Sequence, residues 1–233
     1  MDDDLDQLLT SLKLSRIREI LDERLAAAVD EGPSYGDFLR RLLREEHQDQ
    51  QVRFLEYRIQ RAKIPERWPL ETFPWDLQPG VQRSVIEQLA TLSFIDKGSS
   101  IVFIGPTGVG KTGLACGILL KALFAGRRGQ FVKAQDLFDD MFRSLADHSS
   151  RKLLDRLVRI EGLQIDELGY LNLRPEQSNI FFKLMEERYT RRLCTIITTN
   201  LDYDEWYGFL GQKPMVAALL DRLRHRCTTL RID

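Results

Sequence analysis

The apolar positions along the chain follow two different periods. Over residues 4–63 they recur as on a helix: Leu5, Leu8, Leu9 and Leu12, then Ile17, Ile20, Leu21 and Leu25. Gly32-Pro33 interrupts the run. Ser34 followed by Asp37 reads as an N-terminal cap, with Asp where Glu or Gln is usual. A second long helix then carries Phe38, Leu39, Leu42 and Leu43, and later Val52, Leu55 and Ile59. Between these sets Glu45 to Gln51 is wholly polar, so the pattern predicts a helix that is solvated or bent there.

Pro65, Pro69, Pro74, Pro79 and Gly80 mark a change of regime, in extended or turn conformation. The expected organisation is a helical N-terminal domain over 1–67, a proline-rich linker over 68–80 and a core over 81–233. In the core, short β-prone runs at 101–104, 130–133, 163–165, 193–199 and 228–232 alternate with helical patterns. One such pattern is Leu114, Ala115, Ile118, Leu119, Ala122 and Leu123. Another is Ile180, Phe181, Leu184, Met185 and Arg188, which follows Pro175 at a first-turn position. Apolar strands separated by helices predict an α/β fold, with a parallel sheet covered on both faces.

Composition narrows the class without naming a chemistry. The 233 residues carry a formal net charge of −1, with 43% apolar and 30% charged residues. A disordered or low-complexity chain is excluded, and so is a strongly basic nucleic-acid coat, although a local basic patch is not. Met1 to Asp4 is acidic where a signal peptide is basic and then apolar, and no stretch is long and apolar enough to span a bilayer. A cytoplasmic protein is expected. Cys116, Cys194 and Cys227 are far apart and form no CxxC pair, so they are expected to be buried thiols rather than metal ligands or a disulfide framework.

Gly105-Pro106-Thr107-Gly108-Val109-Gly110-Lys111-Thr112 fits the phosphate-loop pattern G-x-x-x-x-G-K-[ST], directly after an apolar strand and before an amphipathic helix. Glycines let the backbone turn its N–H groups inward on phosphate oxygens, and the helix adds its positive end. Lys111 would reach the β and γ phosphates of ATP, and Thr112 would ligate Mg²⁺. Such a site needs a carboxylate at the end of a neighbouring strand to hold the ion through water. Asp166 is placed for this, and Glu167 beside it to polarise an attacking water. Gly162 and Gln164 interrupt the apolar run of that strand, and a buried Gln would need a partner. Asn200 ends the most β-branched run, where it could meet the γ-phosphate or the attacking water.

With these elements placed, the sequence resembles the AAA+ ATPases, and among them the IstB-like transposition helpers, relatives of DnaC-type helicase loaders. The likeness rests on GPTGVGKTGLA (105–115), IDELGY (165–170), ITTN (197–200), DEWYGFLG (204–211) and LLDRLRHRC (219–227), and covers nearly the whole chain. It implies a P-loop AAA+ core after a small helical domain, and Mg²⁺-dependent ATP hydrolysis by a homo-oligomer, ring or spiral, on duplex DNA. It implies a transposase encoded nearby as partner, with a replicative helicase loader as the alternative. It implies an arginine from 219–227 acting on a neighbour's γ-phosphate, Arg222 first and Arg226 second. The chain stops just after its last strand, so no C-terminal helical lid is expected, and Phe73, Trp75 and Pro79 are candidate walls for the adenine. Weak basic surfaces over 37–67, at Arg127-Arg128 and in the tail would sum along DNA only in an assembly, with weak sequence preference.

Overall fold

A computed structural model describes residues 3–169, 173–211 and 213–233. Tyr170 of the IDELGY motif, and Met1 and Asp2 of the acidic start, lie outside the described residues. Contacts divide the chain into two compact units, Met1–Tyr57 and Arg58–Asp233.

The first unit holds α1 (Asp3–Ser11), α2 (Ser15–Glu31) and most of α3 (Tyr35–Ala62). Leu9, Ile17, Ile20, Leu21 and Leu42 form its core. The chain turns between α1 and α2 at Lys13, whose φ is 58°. At the start of α3 the Asp37 N–H donates to Ser34 Oγ over 3.2 Å, while the Ser34 hydroxyl donates to the Asp37 carboxylate over 2.7 Å. That bond, with Arg40 nearby, holds the Asp37 carboxyl below its ordinary range.

The polar stretch of α3 is solvated along most of its length, as expected, with an exception at Glu46. Glu46 is only 2% exposed. Its Oε2 accepts the N–H groups of Arg16 (2.8 Å) and Ile17 (3.0 Å), in the first turn of α2. The N-cap position of α2 is Leu14, which has no side-chain acceptor. A carboxylate from another helix thus satisfies amides that α2 leaves open, where the helix dipole also favours negative charge. The charge at 46 serves this contact, not a solvated face.

In the second unit, α4 (Arg83–Leu89) and α5 (Ser93–Lys97) precede an alternating series. It runs β1 (Ser100–Ile104), α6 (Lys111–Phe124), β2 (Gly129–Lys133), α7 (Ala134–Ala146), α8 (Ser150–Leu157), β3 (Gly162–Leu168), α9 (Pro175–Thr190), β4 (Cys194–Thr199), α10 (Trp206–Leu210), α11 (Lys213–His225) and β5 (Cys227–Arg231). The five-stranded sheet is wholly parallel, in the order β2-β3-β4-β1-β5. One face packs on α6, with Ile101 and Phe103 of β1 turned toward it. Val102 and Ile104 alternate to the other face, under α7 to α9 and α11. Leu70 and Phe73, from the proline-rich segment, are buried in the α6-side core, and that segment forms two short 3-10 turns, Leu70–Thr72 and Trp75–Leu77.

Gly162 pairs with Gly129 across β3 and β2. A Cβ on Gly129 would lie 2.7 Å from Leu119 Cδ1, and one on Gly162 3.5 Å from it. Gly129 therefore leaves room for Leu119 of α6, whereas a side chain at Gly162 would make only ordinary contact there. Arg188 is a second surprise, because its place in an apolar helical pattern concealed a charge. It is 1% exposed. It donates to Thr195 Oγ1 (3.0 Å), to the carbonyls of Leu157 (2.8 Å), Ile160 (2.9 Å) and Glu161 (3.3 Å), and to that of Cys194. Burial lowers its pKa to about 10.

Candidate nucleotide-binding site

The loop between β1 and α6 is built where three strands end. The Gly105 N–H donates to the Thr199 carbonyl over 3.2 Å, and the Ile232 N–H to the Ile104 carbonyl over 2.9 Å. A Cβ on Gly105 would fall 2.1 Å from the Ile232 oxygen, so only glycine fits there. Gly108 and Gly110 have φ of 91° and 85°, the left-handed conformation that turns the backbone into α6. Lys111 starts that helix and its Nζ donates to the Pro106 carbonyl over 2.6 Å. Burial lowers the Lys111 pKa, against the upward pull of Asp166 and Glu167.

Asp166 lies on β3, which is not the direct neighbour of β1, because β4 stands between them. It is 2% exposed, and its Oδ1 accepts the hydroxyls of Thr112 (2.9 Å) and Thr198 (2.6 Å). Burial pushes the Asp166 pKa up, and the two hydroxyls oppose this. Gln164, two residues earlier, gives its Nε2 hydrogen to Cys116 Sγ over 3.4 Å. Thr112 and Cys116 are one helical turn apart on α6, a rise of about 6 Å, and two strand residues rise about 6.6 Å. Helix and strand therefore match in two rungs, and the polar Gln164 is the lower one.

Glu167 sits on a bulge in β3, with φ 58° and a register shift between Ile165 and Leu168. Its side chain is exposed and lies 3.8 Å from Lys133 Nζ at the end of β2. Asn200 follows β4 at the same end of the sheet, and its Oδ1 is buried with no hydrogen-bond partner among the described residues. A cavity of about 270 Å³ opens beside these groups, lined by Trp68, Thr112, Gly113, Lys133, Asp166 and Glu167. The oxygen donors of Thr112 and Asp166, next to the Lys111 ammonium, fit a Mg²⁺–phosphate pair. Such an ion is held by few protein oxygens and completed by phosphate and water.

Sequence reasoning missed the roles of Lys133 and Trp68, which belong to no spaced motif, and of Thr198, which lies within ITTN but was given no role there. Trp68 lies against α6, where a Cβ on Gly113 would be 2.5 Å from the indole. Phe73 meets the loop itself, since a Cβ on Gly110 would be 3.2 Å from its ring. Trp75 stands edge-on to Phe73 with ring centroids 4.8 Å apart, and Pro79 is exposed.

Arg222 and Arg226 are not brought to this loop. The Arg226 carbonyl accepts the Ser100 N–H at the start of β1, and β5 pairs there through Cys227. Both arginines stand at the opposite end of the sheet from Gly105. Arg222 pairs with Glu186 over 3.0 Å, and Arg226 lies 5.0 Å from the Tyr189 ring centroid. Arg127 and Arg128, expected in a basic patch, pair with Glu161, and Arg127 also with Asp96. The thiols of Cys116 and Cys194 are buried and pushed up to about 12. No three described His, Cys, Asp or Glu residues come together as a ligand set for a metal ion, and no described helix is long and apolar enough to cross a membrane.

Comparison with known proteins decides the family. The profile described as "IstB-like ATP binding protein" matches residues 7–233. The chain belongs to the IstB-like ATP-binding family. It is 32% identical over 229 residues to a protein of insertion sequence IS21 from Pseudomonas aeruginosa, covering 98% of this chain and 86% of that one. It is 38% identical over 192 residues to one of insertion sequence IS5376 from Geobacillus stearothermophilus, covering 82% and 76%. Both relatives are described by name as ATP-binding. Among solved structures, the DnaC helicase loader superposes with TM-score 0.56 at 24% identity, over 64% of this chain and 87% of that one. DnaA from Aquifex aeolicus bound to AMPPCP superposes with TM-score 0.60 at 18% identity, over 73% and 51%. These likenesses place the IstB-like chain in the P-loop AAA+ fold.

Proposed function

We propose that this IstB-like protein is a Mg²⁺-dependent ATPase that works as a homo-oligomer on duplex DNA, with weak sequence preference, and assists a transposase encoded nearby. The observation that carries the ATPase reading is the meeting of Thr112, Asp166 and Thr198 beside Lys111. Bound Mg²⁺ would neutralise phosphate charge as the terminal phosphoryl group leaves. The loop N–H groups from Gly108 to Thr112 bind the phosphates, and Lys111 adds a cation at their outer end. Thr112 and Asp166 would hold the ion. Glu167, exposed at its bulge, accepts the proton of the attacking water at its carboxylate. Asn200 donates through its side-chain amide to that water or to the γ-phosphate. Phe73, against Gly110, offers the base an apolar wall.

The position of Arg222 and Arg226 supports action between subunits, since they face away from the loop of their own chain. An arginine there would bring a delocalised charge to a neighbour's γ-phosphate. The insertion sequences named for both relatives support the transposition role. Sizing the protein with and without ATP and duplex DNA, with turnover measured in the same samples, tests the whole reading. ATP- and DNA-dependent assembly with raised turnover is expected. A monomer under every condition, or assembly with no phosphate release, would overturn it.

A further inference from the structure

Thr198 is 1% exposed at the next-to-last position of β4, where burial alone favours an apolar β-branched residue. A hydroxyl there is costly unless it is bonded. Among the described residues it has two partners, and both are on β3. The Thr198 hydroxyl donates to Asp166 Oδ1 over 2.6 Å, and Thr198 Oγ1 accepts the Glu167 N–H over 2.9 Å. A hydroxyl carries one hydrogen, so these bonds fix its direction: the proton goes to the carboxylate, the lone pair to the amide.

The second bond explains how the bulge persists. Between Ile165 and Leu168 the β3–β4 register shifts, which takes the Glu167 N–H out of the ladder. Glu167 also holds a left-handed φ of 58°, which a residue with a side chain adopts only when its surroundings enforce it. The first bond holds the Asp166 carboxylate from the sheet. Thr112 would keep donating its hydrogen to Asp166 while offering a lone pair to an ion, so the carboxylate is held from α6 by Thr112 and from β4 by Thr198.

We propose that Thr198 is a positioning residue that sets the Asp166 carboxylate and the Glu167 bulge together from β4. This rests on the reading of the site as a Mg²⁺-dependent ATPase. It adds a residue that touches neither phosphate nor water but fixes the two that do.

The test compares wild type with Thr198→Val, which keeps the shape and removes the hydroxyl, and Thr198→Ser, which returns it. Binding of a fluorescent ATP analogue without Mg²⁺ should stay within about twofold in both variants, because the loop is untouched. In the Val variant, the Mg²⁺ concentration for half-maximal turnover should rise, and kcat fall, by about 10- to 100-fold, with KM for ATP little changed. In the nucleotide-free protein the Glu167 amide should exchange with deuterium roughly tenfold faster. Ser should restore all three. Wild-type Mg²⁺ dependence and Glu167 exchange in the Val variant would overturn the inference, as would a Ser variant as impaired as Val. If wild type itself releases no phosphate, the ATPase reading falls, and exchange at the Glu167 amide still decides the role of Thr198.

Discussion

The hydroxyl of Thr112 reaches Asp166 Oδ1 across 2.9 Å, although the two residues lie 54 positions apart in the chain. This bond ties the start of α6 to β3 immediately beside Lys111. Lys111→Ala would leave that scaffold in place and remove the phosphate-facing cation. Affinity for ATP is expected to fall by about 100-fold or more in a titration, with unchanged thermal stability. Wild-type affinity in this variant would place the nucleotide elsewhere.

Glu167 and Asp166 are adjacent but differ in environment. Asp166 is enclosed by two hydroxyls, whereas the Glu167 side chain is exposed toward the cavity and Lys133. Glu167→Gln should therefore bind ATP with near-normal affinity and lower kcat by about 10²- to 10⁴-fold. Single-turnover phosphate release separates the two effects. Unchanged turnover would remove Glu167 from proton transfer.

Arg222 is engaged by Glu186, while Arg226 is stacked on Tyr189. Alanine at either position should leave nucleotide binding by the monomer intact. At the position that serves a neighbour, assembly-stimulated turnover should fall by about 10³-fold. Mixing an Arg222→Ala or Arg226→Ala variant with Lys111→Ala protein gives the sharper measurement. Partial recovery is expected only if one subunit supplies the arginine and another the loop.

Arg188 has no carboxylate partner among the described residues and is held by carbonyls and one hydroxyl. Arg188→Met would leave these acceptors dry and unpaired. A loss of about 3 kcal/mol is expected, or roughly 6 to 12 °C in Tm, readable by calorimetry. Arg188→Lys should recover only part, because a single ammonium cannot reach the whole set.

Gln164 gives the opposite case. Its Nε2 meets only a thiol, and its Oε1 has no partner among the described residues. Gln164→Leu should leave stability unchanged or raise it by about 1 kcal/mol in a denaturant titration. A large loss would mean that the lower rung on α6 is structurally required.

What could be read from the sequence was what lies close together in it. The strand, loop and helix around Lys111 form one continuous stretch whose period and glycines are visible residue by residue. The parallel α/β class followed from the same periodicity. Non-local pairing was hidden. That β4 enters between β3 and β1 is a matter of strand order, so Thr198 could not be seen as the partner of Asp166. Glu46 looked like one more polar residue because the amides it accepts belong to another helix. Arg127 and Arg128 looked like a free basic patch because Glu161 lies over thirty positions away. Arg188 fitted a helical stripe by spacing, and its burial depended on carbonyls that spacing does not reveal.

The phosphate loop and the Arg222–Arg226 segment occupy opposite ends of one sheet. If the arginines complete a neighbour's site, every contact joins unlike surfaces, and a row of subunits has a head and a tail. A pair related by a two-fold axis would instead have to lie antiparallel, each loop against the other's arginines. In an open row, one terminal subunit would hold ATP without an arginine against it, and its arginine-bearing counterpart at the far end would have no nucleotide to serve. Hydrolysis would then count junctions rather than subunits, and the row would fall silent at one end first.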